Sequence, residues 1–66
     1  MKFVIIGIGQ FGRALALHLA DLGFEVTILD ERESIITELK DRVTYALVGD
    51  ATDIRVLRQL KLVGED

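Results

Sequence analysis

Residues 2–14 read KFVIIGIGQFGRA, an apolar run rich in β-branched residues that ends in three glycines spaced Gly7-x-Gly9-x-x-Gly12. Loops of this kind cradle phosphates. Gly7 permits a tight turn, Gly9 lets the backbone approach a pyrophosphate, and Gly12 lets the following helix pack closely on the strand. The start of that helix offers unpaired N–H groups and the positive end of its dipole to phosphate oxygens. A second apolar run, FEVTILD, closes on Asp30, 23 residues after Gly7. A carboxylate there can accept both hydroxyl protons of an adenosine ribose, and it would repel a 2′-phosphate, which favours NAD over NADP. Glycine clusters alone also make ordinary turns. The register of strand, loop, helix and acid is what points to a bound adenine nucleotide.

The rest of the loop, Ile8, Gln10 and Phe11, belongs to the same candidate site. Glu31 and Arg32 follow the ribose acid; Arg32 either lies along the adenine face or is a solvated charge in DERE. A further cluster, GDAT at 49–52, falls at the end of a third apolar run. Asp50 there can accept from the adenine amino group, Ala51 leaves room for the ring, and Asp50 or Thr52 can also cap the next helix. His18 has no partner acid at a useful spacing and reads as a surface or partly packed residue. Arg55, Arg58 and Lys61 form one helical stripe, most simply a solvated face. No nucleophile–base pair and no metal-ligand cluster stands out, so the expected role is binding and not catalysis.

Three strands are needed to position these residues. The continuous run Phe3–Ile6 predicts a strand covered on both faces, as in parallel sheets. From Phe11 the period becomes helical, with Phe11, Leu15, Leu19 and Leu22 on one expected apolar face and Gly23 as the stop. FEVTILD (24–30) predicts the second strand and ERESIITELKDR a second helix, with Ser34 near its cap. VTYALVGD (43–50) predicts the third strand, and TDIRVLRQLKLVG a third helix with Ile54, Leu57 and Lys61 on one side. The order β-α-β-α-β-α, with connections too long for hairpins, predicts an α/β fold: half of a doubly wound, Rossmann-like parallel sheet with strand order 3-2-1.

Sixty-six residues allow one domain at most. A chain of that size buries roughly 60% of its unfolded surface, and with no cysteine it has no disulfide to compensate. A hydrophobic content of 50% excludes a disordered chain, and a net charge of −3 argues against non-specific nucleic-acid binding. No apolar run reaches the length of a membrane span, and a cytoplasmic location is expected. Strand order 3-2-1 leaves the first strand as a bare edge. Residues 1–66 are therefore expected to be the amino-terminal part of one domain, cut before its fourth strand, or to pair edge to edge as a homodimer.

VIIGIGQFGRALALHLADLGFEVTILD followed by YALVGDATDIRVLRQL resembles the amino-terminal lobe of the RCK or KTN (TrkA-N) domain, the regulatory module of Trk- and Ktr-type potassium transporters and of potassium channels. The glycine loop is shared with many dinucleotide-binding folds; the GDAT turn running into VLRQL is the more distinctive part. The resemblance implies a nucleotide-sensing subunit that binds NAD(H), or ADP or ATP, without chemistry. It further implies dimers assembled into a ring at the inner face of the membrane, against a potassium transporter or channel. It would place Gly7–Gly12 on the phosphates, Asp30 on the ribose, and Asp50 with Ala51 beside the adenine. Ktr-type members that respond to ATP often carry arginine where this sequence has Gln10, which is similar instead to Trk-type members that favour NAD(H). The alternatives are the coenzyme half of an NAD-dependent oxidoreductase, and an association unit governed by the open strand edge.

Overall fold

A computed structural model describes residues 1–63, with side-chain surroundings for residues 1–61. The elements alternate as expected: β1 (Lys2–Ile6), α1 (Gln10–Asp21), β2 (Glu25–Asp30), α2 (Glu33–Leu39), β3 (Tyr45–Val48) and α3 (Ile54–Val63). The expected end of the third helix at Gly64 lies outside the described residues. The three strands form one parallel sheet in the order β1-β2-β3, which is the predicted 3-2-1 order read from the other edge.

β2 is the axis of the fold. Val26, Ile28 and Leu29 are fully buried, with Thr27 and Asp30 nearly so. Val26 and Ile28 share one core with Ala16 of α1, Ile36 and Leu39 of α2, and Ile8 of the glycine loop. The opposite face is closed over Leu29, where Val56 of α3 borders Gly49. β3 starts two residues later than its apolar run suggests. Thr44 Oγ1 accepts the Val26 N–H at 3.0 Å, so a side chain stands where a ladder carbonyl would be.

β1 departs from the expectation that both its faces are covered. Phe3 and Ile5 turn toward the core, and Phe3 meets Phe24 edge-on at 5.4 Å. Val4 and Ile6, on the other face, remain about half exposed. Their partners in register, Thr27 and Leu29, are buried, so cover on this face extends over β2 and stops short of β1.

α1 also turns differently from its expected apolar face. Phe11 and Leu22 are exposed, and Leu15 lies at the exposed margin. The face against the sheet is made of Gly12, Ala16 and Ala20, spaced by four, with Leu17 and Leu19 beside them. Small residues let the helix axis sit close to the strands, and that shape outweighs the larger transfer energy of Phe and Leu. At its far end Gly23 adopts φ +89°, and the Gly23 and Phe24 N–H groups return to the carbonyls of Ala20 and Leu19. This is the left-handed helix stop that the sequence calls for.

The caps of the other helices shift as well. Ser34 lies inside the first turn of α2, and Arg32 occupies the N-cap position. Neither Asp50 nor Thr52 caps α3; Asp53 does, with Oδ1 accepting the Arg55 N–H at 2.8 Å. Ile54 and Leu57 face outward, and among the described side chains of α3 Leu60 is buried and Val56 partly so.

Gly49 is where α3 meets the sheet. A Cβ at this position would stand 2.9 and 3.0 Å from the two methyls of Val56, whose branched side chain has little freedom to retreat. Gly49→Ala is expected to destabilise the domain by about 1–3 kcal/mol. Pairing it with Val56→Ala should recover part of that loss, as a double-mutant cycle in urea denaturation would show.

Candidate functional site

The carboxyl ends of the strands bring together the three segments singled out in the sequence. The Gly7 N–H bonds to Leu29 O, and the Gly49 N–H to Asp30 O, each at 3.0 Å. Both loops are thereby tied to the end of β2. Between them lies a groove of about 400 Å³, lined by Ile6, Gly7, Leu29, Asp30, Glu31, Arg32, Asp50, Ala51 and Thr52. That volume falls within the range of small-molecule sites. A smaller hollow of about 160 Å³ adjoins the loop and is lined by Ile8, Gly9, Gln10, Arg13, Arg32 and Ile35. Phe11 and Gly12 line neither cavity. Ile6, Leu29 and Ile35 do, and nothing in their residue type marked them; only the strand ends and the start of α2 place them there.

The glycines divide the work unequally. Gly7 has φ +78°, a left-handed conformation that side chains rarely adopt. Gly9 is the N-cap of α1 in extended backbone, and a Cβ there would meet nothing within 4 Å. Its lack of a side chain serves the space in front of the loop and not the fold. A Cβ at Gly12 would make only ordinary contacts, 3.5 Å from Gly7 O and 3.6 Å from Ile5 Cγ2. The expected close packing of helix on strand is there, but it leaves room for a methyl group.

α1 begins with no side-chain cap and no acid in its first turn. Its first intrahelical bond is Arg13 N–H to Gly9 O, so the preceding amides point toward the loop mouth. α2 and α3 differ: Glu33 stands in the first turn of one and Asp53 caps the other. Arg13, beside the loop, pairs with Glu38 of α2.

Asp30 is 7% exposed and heavily engaged. Oδ2 accepts the Ile8 N–H at 2.8 Å and Arg32 Nη2 at 3.1 Å. Oδ1 accepts the Arg32 N–H at 2.8 Å and Arg32 Nε at 3.0 Å. Arg32 Nη2 also reaches Ile8 O at 2.6 Å. Arg32 is thus placed on the Asp30 carboxylate and the glycine loop, not in solution as a free charge. Ile8 contributes through its backbone alone, because its side chain is buried in the core. The side chain and backbone N–H of Arg32 hold the Asp30 carboxyl well below the usual carboxylate range, helped by the Ile8 N–H and opposed by burial.

The GDAT turn is locally self-sufficient. Asp50 Oδ1 accepts the Thr52 N–H at 2.8 Å and the Thr52 hydroxyl at 2.7 Å. These two donors lower the Asp50 pKa. His18, Arg55, Arg58 and Lys61 are exposed and away from the groove. Among the described residues, no cluster of His, Asp or Glu is placed to hold a metal ion, and no helix is long and apolar enough to cross a membrane.

The family model of the TrkA-N domain matches residues 3–63. The chain belongs to the TrkA-N family. This family is a dinucleotide-binding fold, in agreement with the strand order and the glycine loop of this TrkA-N domain. Among curated relatives, the Ktr system potassium uptake protein C of Bacillus subtilis is 36% identical over 92% of the chain and 28% of its own length. The Ktr system potassium uptake protein A of Vibrio alginolyticus is 34% identical over the same shares. The chain therefore spans little more than a quarter of the length of these relatives. A glycerol-3-phosphate dehydrogenase [NAD(P)+] of Halalkalibacterium halodurans is 48% identical over 40 residues, 61% of the chain and 12% of the enzyme.

The carboxylate at the end of β2 gives the domain a defined response to acid. Its folded pKa lies below the unfolded value, so its contribution is complete above about pH 4 and is lost as the pH falls further. Asp30→Asn should lower stability at neutral pH and flatten the loss between about pH 5 and pH 2, measured by denaturant melts across that range. Asp50 and Asp53, also held low by their own donors, remain in both proteins, so the difference between them reports Asp30.

Proposed function

We propose that this TrkA-N domain is the nucleotide-sensing part of a regulatory subunit of a potassium uptake system or channel. Residues 1–66 are the amino-terminal part of one RCK/KTN-type lobe. The observation that carries the reading is the juxtaposition of an uncapped glycine-loop helix with the Asp30 carboxylate at the end of the neighbouring strand. Phosphates would sit against the loop from Gly7 to Gly12, with Gly9 presenting no side chain to them and Ile8, Gln10 and Phe11 contributing backbone and flank. The ribose would lie on Asp30, flanked by Glu31 and Arg32. The adenine would lie toward Asp50, Ala51 and Thr52. NAD(H) is the preferred ligand, because the carboxylate accepts a ribose diol and repels a 2′-phosphate; ADP and ATP share the same adenosine half.

Regulation requires only that the nucleotide bind one arrangement of the assembly more tightly than another. The two Ktr relatives are potassium uptake proteins by name, and they match the chain over 92% of its length. Their partner class comes to this protein by that kinship: a membrane potassium transporter or channel, contacted from the cytoplasm. Self-association through the open β1 edge, where Val4 and Ile6 are half exposed, belongs to the same proposal.

A second reading, the coenzyme half of an NAD-dependent oxidoreductase, is favoured by the match to the dehydrogenase. That match covers 12% of the enzyme and 61% of the chain, against the nearly complete coverage of the chain by the potassium uptake proteins.

Calorimetric titration of the full chain with NAD⁺, NADH, ADP and ATP should give binding of at least one, with no change in nicotinamide absorbance over hours. Gly9→Val, which the fold tolerates because the space there is open, should weaken that binding at least tenfold while costing about 1 kcal/mol or less of stability. Undiminished binding by the folded variant would remove the loop from the site.

A further inference from the structure

Asp30 offers a ligand no unused acceptor. A carboxylate has about four lone-pair sites. Here four donors occupy them: the Ile8 N–H and Arg32 Nη2 on Oδ2, and the Arg32 N–H and Nε on Oδ1. Two of the four are backbone groups, fixed by the glycine loop and by the start of α2. The other two belong to one guanidinium, whose side chain is 59% exposed while the carboxylate beneath it is 6% exposed. A ribose diol can therefore reach Asp30 only by replacing the guanidinium.

Arg32 also borders both hollows, the large groove beside GDAT and the small one beside Gly9 and Gln10. Its Nη2 bond to Ile8 O ties it to the loop whose amides would face the phosphates. The side chain thus lies at the boundary between the two hollows.

Resting on the nucleotide reading above, we infer that Arg32 is a specificity-determining gate, an intramolecular competitor for the carboxylate that recognises the ribose diol. Binding is an exchange: two guanidinium bonds to Asp30 break and two hydroxyl bonds replace them. The guanidinium bond to Ile8 O is given up as well. A ligand that brings a vicinal diol restores the two bonds on Asp30. One that lacks the hydroxyls has nothing to offer in their place, so the guanidinium stays on Asp30, because a buried carboxylate short of donors is costly. The competition therefore lowers affinity for ligands whose diol must reach the carboxylate, and leaves a ligand without the hydroxyls nearly untouched.

The test is calorimetric titration of the full chain and of Arg32→Ala with ADP and with 2′,3′-dideoxy-ADP. Removing the competitor should tighten ADP at least fivefold and change the dideoxy ligand by less than twofold. Asp30 keeps both backbone donors in the variant. Arg32→Lys, which retains the charge but cannot span both oxygens, guards against a folding defect and should give an intermediate gain. Weaker or equal ADP binding by both folded variants would overturn the gate and make Arg32 a ligand contact or a bystander. An equal gain for the dideoxy ligand would overturn its link to the diol. Binding of ADP by Arg32→Ala alone would support the gate strongly. Failure of ADP, NAD⁺ and NADH to bind any of the three proteins would instead remove the nucleotide reading, and the gate with it.

Discussion

The carboxylate of Asp30 is where the architecture and the candidate site meet. It stands at the end of the most deeply buried strand and reaches out to two neighbours in the chain. Through Ile8 N–H it fixes the glycine loop, and through Arg32 N–H it fixes the turn into α2. A charged group so shielded from water is stable only when donors replace its lost hydration. Here the donors are the segments that must be held still for a phosphate site to exist. The group that would recognise a ribose is thereby also the brace of the loop that would recognise the phosphates. Loss of its charge acts on both.

Cover on the sheet is uneven, and the reason lies in the crossovers. α1 and α2 contribute Ala16, Ile36 and Leu39 to one core with Val26 and Ile28, so that face closes over the middle of the sheet. Among the described residues the other face has α3 alone, anchored at Gly49, Val56 and Leu60. Val4 and Ile6 on β1, and Ile54 and Leu57 on α3, keep substantial apolar area in water. A single short helix cannot cover three strands. Small domains have little hydrophobic surplus, so apolar surface at a sheet edge weighs heavily in how such a unit behaves.

The rigid and the exchangeable parts of the groove are distinct. The loop ends are held by main-chain bonds from Gly7 to Leu29 and from Gly49 to Asp30, and the GDAT turn is closed by the Asp50–Thr52 pair. The exposed guanidinium of Arg32 can leave without breaking any bond between two main-chain groups, giving up only its own bonds to Asp30 and Ile8 O. A sensor benefits from that division. Under the proposed exchange, ligand-dependent change would be confined to one side chain at first contact, while the frame that reads it would stay fixed.

Sequence by itself determined the element order, the parallel sheet and the segments that converge on its carboxyl end. Periodicity and the glycine spacing carry that information locally, because a change from a short continuous apolar run to a helical period marks each strand-to-helix switch. Gly7 and Gly23 were legible for the same reason: each answers a backbone demand made within a few residues. What local pattern does not encode is which of two competing neighbours wins. The sheet-facing side of α1 went to Gly12, Ala16 and Ala20 because close approach to β2 favours small residues over large apolar ones. A spacing of four was visible, but its preference depends on a strand some residues away. The cap of α3 went to Asp53 in place of Asp50 or Thr52, since Asp50 is drawn into the turn by Thr52. Arg32 reads from the sequence either as a contact along the adenine face or as a solvated charge in DERE. Only the fold brings Ile8 O, 24 residues away in sequence, within reach of the same guanidinium that grips Asp30. The cap of α3 is a contest between neighbouring acids within one turn. Tertiary structure decided the face of α1 and the place of Arg32, because each is a contest for space or for a hydrogen bond between segments whose distance is set by the folded sheet.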